Sequence, residues 1–257
     1  MTRTKIVREK IWERLRPVAR PDSRFHLNFS EVIPDFEGSE AATDRVVSLP
    51  VYKKARFAFV TPDNGLALLR QRMLEAGKSL VVSTYGIYRG FYLLEPSMVP
   101  KGQERFASWL DGLEYFGRPI TLAEISSRGR FDLMVTGASA VSLDGVRFGK
   151  GHGFFDMEWG MFTEVGLADE ATPVVAVVHD VQVIEEKLFP SETDILVDTI
   201  ATPTRLIEVK RQQRPRGIKW HLLEPEVIAL TPPLQELQKL RGIAPPASAP
   251  PAKGSVR

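Results

Sequence analysis

Arg56-Phe57-Ala58-Phe59-Val60-Thr61 is a short run of aromatic and β-branched residues that reads as a strand, and Pro62-Asp63-Asn64 follows it as a turn. Leu66, Leu69 and Met73 then recur at helical spacing until Gly77, and a second apolar run fills residues 79–84. The apolar period therefore changes from strand to helix and back. Two strands joined through a helix lie parallel, because the helix carries the chain back to the edge where it started. The rhythm continues towards the carboxyl end. Asp132-Leu133-Met134-Val135-Thr136-Gly137 reads as a buried strand, residues 173–178 form a continuous apolar run of the kind a central parallel strand shows, and residues 195–200 give the last strong strand. The pattern predicts an α/β fold with a mainly parallel sheet and helices on both faces.

Around this frame, Val7, Ile11, Trp12 and Leu15 predict a first amphipathic helix over residues 4–16. Its other face is basic, with Lys5 and Arg8 one turn apart. Residues 17–38 lack periodicity and read as an extended loop. Ser39 is placed to cap a helix bearing Ala42, Val46 and Leu49. One helix over 103–116 is expected to turn Phe106, Trp109, Leu110 and Leu113 inward, and Thr121-Leu122-Ala123-Glu124 has the form of a capping box.

Composition narrows the class. A chain of 257 residues with 43% hydrophobic and 26% charged residues suits one large α/β domain, expected over residues 1–243, with a disordered Pro/Ala-rich tail over 244–257. No run approaches the roughly 18 apolar residues of a membrane span, and the charged first 14 residues do not resemble a signal peptide, so a cytoplasmic protein without a membrane partner is expected. The absence of cysteine rules out disulfides and thiolate chemistry. Four scattered histidines form no H-x-x-x-H pair, and no Gly-x-Ser-x-Gly elbow exists, so neither a zinc site nor a serine nucleophile has an anchor. A net charge of +2 argues against nucleic acid as the main partner and leaves a small-molecule substrate as the expectation.

The densest chemistry lies between Asp144 and Asp156. Gly149, Gly151 and Gly153 remove the Cβ from alternate positions, so backbone N–H groups can approach an anion, while Arg147 and Lys150 supply charge. His152 stands among them. Phe154, Phe155, Met157, Trp159, Met161 and Phe162 then suit a helix whose first turn points its free N–H groups back at the loop, with Asp156 in that turn. The stretch is neither a Walker A loop nor a dinucleotide fingerprint, so spacing alone leaves a surface turn open beside a polyphosphate cradle. The segment from Tyr85 to Tyr92 gathers aromatics and Arg89 at the end of a strand, where a flat ring could stack with Arg89 over it or meeting a carboxylate.

Arg147-Phe148-Gly149-Lys150-Gly151-His152-Gly153-Phe154-Phe155-Asp156 resembles the glycine-rich signature of the 5-formyltetrahydrofolate cyclo-ligase family, and more closely its diverged branch of methenyltetrahydrofolate synthetase domain-containing proteins. Residues 33–38, 202–205 and 217–220 also resemble that branch, and residues 190–198 resemble the stretch before the family's final core strand. The resemblance implies a fold of the NagB/RpiA/CoA-transferase group and an ATP- and magnesium-dependent conversion of 5-formyltetrahydrofolate to 5,10-methenyltetrahydrofolate. It implies Lys150 and Arg147 as catalytic cations, and Lys5, Arg8, Gly149, Lys150, Gly151, His152 and Gly153 around ATP. Asp156 would hold Mg2+, and Tyr85, Arg89 and Phe154 would meet the substrate. Two departures stand out: Phe154 and Phe155 occupy positions where the family carries tyrosines, and the turn over residues 61–64 lacks the family's glutamate. A paralogue acting on or binding another phosphate-bearing or heterocyclic metabolite, such as one of thiamin salvage, therefore stays open. So does an RNA-associated module using the basic segment 210–216.

Overall fold

The structure is a computed structural model that describes residues 3–210 and 213–242; the expected tail over 244–257 lies outside the described residues, as does part of the basic segment 210–216. The main sheet has eight strands: β1 (Phe57–Val60), β2 (Ser79–Ser83), β3 (Phe91–Leu94), β4 (Arg118–Ile120), β5 (Leu133–Thr136), β6 (Val174–Val177), β7 (Thr199–Ala201) and β8 (Leu206–Glu208). Their order across the sheet is β8-β7-β6-β5-β1-β2-β3-β4. The five strands from β7 to β2 are mutually parallel, and β8, β3 and β4 extend the edges antiparallel. The α/β reading with a mainly parallel sheet holds.

Both faces are covered because side chains alternate along each strand. Ala58, Val60, Leu80, Val82, Val135 and Val177 meet α2 (Ser39–Ser48), α3 (Ala67–Glu75) and α4 (Leu110–Phe116) on one side. Phe59, Val81, Met134 and Ala176 meet α5 (Leu122–Ser127), α6 (Phe154–Glu164) and α7 (Pro232–Arg241) on the other. Central strands buried on two faces have no polar face to show, which is why residues 173–178 read as a solid apolar run. The amino-terminal helix α1 (Arg3–Leu15) packs on Asp180–Gln182 and Ala140–Ser142, the segments that follow β6 and β5, and buries Ile11 and Leu15.

Four local expectations need correction. Gly38, at φ 79°, precedes α2 and Ser39 is its first helical residue without a side-chain cap bond. The stretch 17–38 is mostly loop but pairs Ala19–Arg20 with Asp35–Phe36 antiparallel. The helix expected over 103–116 breaks in two, at residues 104–107 and 110–116, because Trp109 is extended and 47% exposed. The pieces cross so tightly that a Cβ on Gly112 would fall 1.8 Å from the Phe106 carbonyl oxygen. The last parallel strand is confined to β7, since Leu196 and Val197 pair instead with the turn at residues 145–146. The capping box at Thr121 is present with both reciprocal bonds.

Phe162 of α6 sits fully buried with its ring 4.9 Å from Phe59, 5.2 Å from Phe91 and 5.0 Å from Phe131. Phe162→Ala leaves a cavity that three rings cannot fill together, so chemical denaturation should show a loss of about 3–5 kcal/mol. A loss under 1 kcal/mol would mean that the helix is not docked on this face.

Candidate functional site

Between β5 and β1 the strand order reverses its direction of growth: the chain runs outward from β1 to β2 on one side and from β5 to β6 and β7 on the other. Open parallel sheets bind ligands outside the carboxyl ends of their strands at such a point, because loops from the two halves diverge and leave a crevice. Here Thr61 and Asp63 follow β1, Thr136 and Gly137 end β5, and Ser83 and Thr84 end β2, and all but Gly137 line one pocket with an empty volume of about 680 Å³, its mouth included. Asp63 ties the two sides together. Its Oδ2 accepts from the Thr61 hydroxyl at 2.6 Å and from the Gly137 N–H at 2.9 Å, and a Cβ on Gly137 would fall 2.8 Å from that oxygen.

The glycine loop closes one wall of this pocket. Arg147 is 4% exposed; its Nε donates to the Gly137 carbonyl at 3.0 Å, its guanidinium lies 4.8 Å over the Phe155 ring, and Nη1 is 3.9 Å from Asp156 Oδ1. Nη1 is buried without a hydrogen-bond partner. Gly151 and Gly153 take φ values of 116° and 66°, whereas Gly149 does not need the left-handed region. Absence of a Cβ matters at both 149 and 151, since one would stand 3.1 Å from Arg147 Nη2 and 3.2 Å from Arg8 Nη2 respectively. Gly153 precedes α6 with no side-chain cap, so the helix's first N–H groups are offered towards the loop. Lys150 Nζ donates to the Glu31 carbonyl at 2.6 Å and lies 4.8 Å over the Tyr85 ring. Burial pulls its ammonium below the ordinary lysine range, with Asp63 and Glu31 opposing.

Two acids follow on α6. Asp156 Oδ1 accepts from the Ile195 N–H at 3.0 Å, and burial pushes its carboxyl up to about 6 against the pull of Arg147 and that N–H, with Asp194 adding to the rise. Glu158 is 2% exposed at the pocket floor, and burial pushes its carboxyl up to about 8. The Ser83 hydroxyl stands close enough to Glu158 to favour its ionised form by hydrogen bonding, yet neither Ser83 Oγ nor Glu158 Oε2 makes a hydrogen bond of full geometry. His152 stacks on Phe154 at 5.2 Å, and burial with Lys150 and Arg8 nearby holds its imidazole below the usual range. It is therefore neutral at pH 7 and adds no charge to the loop.

A second cavity lies on the far side of the same loop. His152, Gly153 and Asp156 line it together with Met157, Trp159, Ile195, Ile218 and Leu223. The loop thus separates two hollows.

Arg8, Arg147, Lys150, His152, Phe154 and Asp156 are brought together as the sequence pattern anticipates, and Tyr85 lines the pocket. Lys5 is exposed on α1 one turn before Arg8. Arg89 is elsewhere: its side chain is 62% exposed and pairs with Glu114, so it does not cover a ring in the pocket. Tyr85 has also committed one face to Phe25, stacked at 4.9 Å, and its hydroxyl donates to Glu31 Oε2 at 2.9 Å. Sequence reasoning missed Glu31, Ser83, Glu158 and Asp194. Only Glu158 carried a signal, as a lone acid inside an otherwise apolar helix face.

A doubly covered, mainly parallel sheet with a cationic glycine loop at its switch point defines an open α/β protein with its crevice at the carboxyl ends of the central strands. Residues 1–203 match the 5-formyltetrahydrofolate cyclo-ligase family, and the chain belongs to that family. It is 34% identical to methenyltetrahydrofolate synthase domain-containing protein of Danio rerio over 239 residues, 91% of this chain and 61% of that protein. It is likewise 34% identical to the Homo sapiens protein of that name over 237 residues, 90% of this chain and 60% of that protein. The chain thus spans about three-fifths of these relatives. The 5,10-methenyltetrahydrofolate synthetase of Aquifex aeolicus has a similar fold, with a TM-score of 0.50 at 18% identity over 86% of this chain and all of the other. Among the described residues no helix is long and apolar enough to cross a membrane.

Asp156 permits a pH test. Its folded carboxyl keeps its proton to about pH 6, above the ordinary 3.8, so the folded state binds more protons than the unfolded state between those values and loses stability as pH rises through them. Asp156→Asn removes that slope. Relative to the parent it should gain up to about 3 kcal/mol, two units at roughly 1.4 kcal/mol each, between pH 4 and pH 7. A stability difference that stays constant over this range in urea titrations would contradict the burial argument.

Proposed function

We propose that this chain acts as an ATP- and Mg2+-dependent cyclo-ligase, converting 5-formyltetrahydrofolate to 5,10-methenyltetrahydrofolate. The observation that carries the proposal is the convergence of Arg8, Arg147, Lys150 and the open end of α6 on one glycine loop that separates two hollows. A nucleotide base would take the apolar hollow beside Trp159 and Ile218, its phosphates would cross the loop, and the formyl-bearing ring would enter the hollow above Glu158.

In this reaction the formyl oxygen takes the terminal phosphoryl group of ATP and ADP departs. N10 then attacks the activated carbon, and the C–O bond breaks to release phosphate, which carries away the proton that N10 gives up as the C–N bond closes. The residues serve chiefly to position and to neutralise charge. Arg147 lines the pocket and is fixed by Gly137 and Phe155, with Nη1 unbonded beside Asp156, so its charge is already oriented before a ligand arrives. Lys150 reaches the same space from the loop. Asp156 fits a magnesium ion in the usual way, one carboxylate beside phosphate oxygens, and Asp194 is close enough to influence it. When bound, that ion would draw charge from the phosphates; Asp156 would have to release its proton to receive it.

A diverged activity is the second reading, and Phe155 favours it. The ring packs under Arg147 in the core, where a tyrosine hydroxyl could have served a ligand. Calorimetry with Mg-ATP should give a single site, weakened at least about tenfold in Lys150→Ala, since a charge-assisted bond contributes roughly 1.5–3 kcal/mol. Unchanged binding would mean that the loop is a turn and nothing more. Absorbance of the methenyl product should rise with 5-formyltetrahydrofolate and Mg-ATP and fail to rise with Asp156→Ala. Nucleotide binding without that rise selects the diverged reading.

A further inference from the structure

Neither packing nor phosphate handling explains Glu158. It lies on the stripe of α6 that begins with Phe154 at the pocket wall and continues one turn beyond Glu158 to Phe162, which the aromatic core seals. The helix therefore delivers a carboxyl to the pocket floor at the last position before solid core. There it is 2% exposed, and its Oε2 has no hydrogen-bond partner. Ser83, at the end of β2, is 1% exposed and stands beside Glu158 without a hydrogen bond of full geometry to it or to any other group, and Arg147 Nη1 has none beyond its 3.9 Å approach to Asp156. Buried polar groups are normally satisfied, because each one withdrawn from water without a replacement bond carries a desolvation cost. Three such atoms lining one pocket mark the place where a ligand completes them.

The chemistry of the ligand follows from what surrounds the carboxyl. Ile33, Ile87 and Phe155 give the pocket apolar faces among its polar lining, against which a flat ring can pack. Ile87 keeps φ at 60°, a costly conformation for a β-branched residue, so the wall is held in place against local preference. A metal ion is not the partner expected: Asp63 is the acid whose charge Glu158 feels most, and its Oδ2 is committed to Thr61 and Gly137. Among the described residues no three acids or imidazoles converge on one point. A carboxyl instead matches an exocyclic amine beside a ring nitrogen, through two parallel hydrogen bonds that form whichever side holds the shared proton.

We propose that Glu158 is the specificity-determining residue of this pocket, selecting flat nitrogen heterocycles that present an amine next to a ring nitrogen. This deepens the proposed function only in taking from it that the pocket admits a ring. The test omits ATP. Pterin and lumazine are titrated into the full chain by fluorescence; the two rings differ in carrying an amine or an oxo group at C2. The parent should bind pterin at least about tenfold more tightly, because a buried acceptor left unpaired rejects the analogue that cannot fill it. Glu158→Leu removes both oxygens at similar volume and should bring the two within about threefold of each other, with a cooperative melt showing that it folds. 4-Aminopyrimidine against 4-hydroxypyrimidine repeats the comparison for a one-ring ligand, and a preference for the amine in either pair supports the proposal. It is overturned if the parent shows no preference in either pair, if none of the four rings binds, or if the preference survives in Glu158→Leu. Should that variant fail to fold, the parent's ratios decide. Mg-ATP titrated separately keeps the outcomes apart: ATP binding without ring preference removes the role of Glu158 and spares the phosphate site, and ring preference without ATP binding does the reverse.

Discussion

The buried guanidinium of Arg147 is the constraint on which the site depends. An arginine cannot shed its proton to escape a low-dielectric setting, so its charge must be met by partners fixed in the fold. Gly137 at the end of β5 supplies a carbonyl, Phe155 a ring face, and Asp156 a carboxylate at 3.9 Å. These three come from both ends of the loop that Arg147 itself belongs to. The guanidinium thereby pins the sheet end to the start of α6 and holds the glycine loop between them. A side chain on Gly149 would press on its Nη2, which accounts for the glycine there although its φ is ordinary.

Electrostatic consequences spread from this point. Asp156 and Glu158 are two residues apart on one helix and both are driven towards their neutral forms, chiefly by burial. They face different duties because the helix turns them to different hollows. Asp156 lines both hollows beside the loop, and Glu158 lines only the one at the switch point. Perturbed acids in a cleft are characteristic of functional sites, where stability is given up for a prepared environment. Ile87 at positive φ belongs to the same pattern, a strained residue kept in a wall that the rest of the fold over-determines.

Family membership and the local geometry constrain different things. The glycine-loop side of the pocket keeps its arginines, lysine, glycines and aspartate in one place. The opposite side differs from the sequence expectation: Tyr85 is occupied by Phe25 and Glu31, Arg89 faces outward to Glu114, and the turn at residues 61–64 uses Asp63 to bind the sheet ends together. A carboxyl nevertheless reaches that pocket from α6. Sites that share a scaffold can differ in ligand through such exchanges, because the fold fixes the crevice and the side chains fix its chemistry.

The sequence by itself determined the α/β class, the parallel sheet and the glycine loop, because strand and helix periods and the clustering of glycine with cations are local properties. It also placed Arg147, Lys150 and Asp156 together, since they lie within one loop and one helical turn. It could not show that residues 195–197 leave the sheet, because their alternative partner, the turn at residues 145–146, is about fifty positions away. It misplaced Arg89, whose direction depends on Glu114 across the β3 edge. Glu31, Ser83 and Glu158 became site residues only when a loop, a strand end and a helix met at the switch point. Burial and missing partners decide what those groups do, and both are properties of the packed chain that no spacing along it contains.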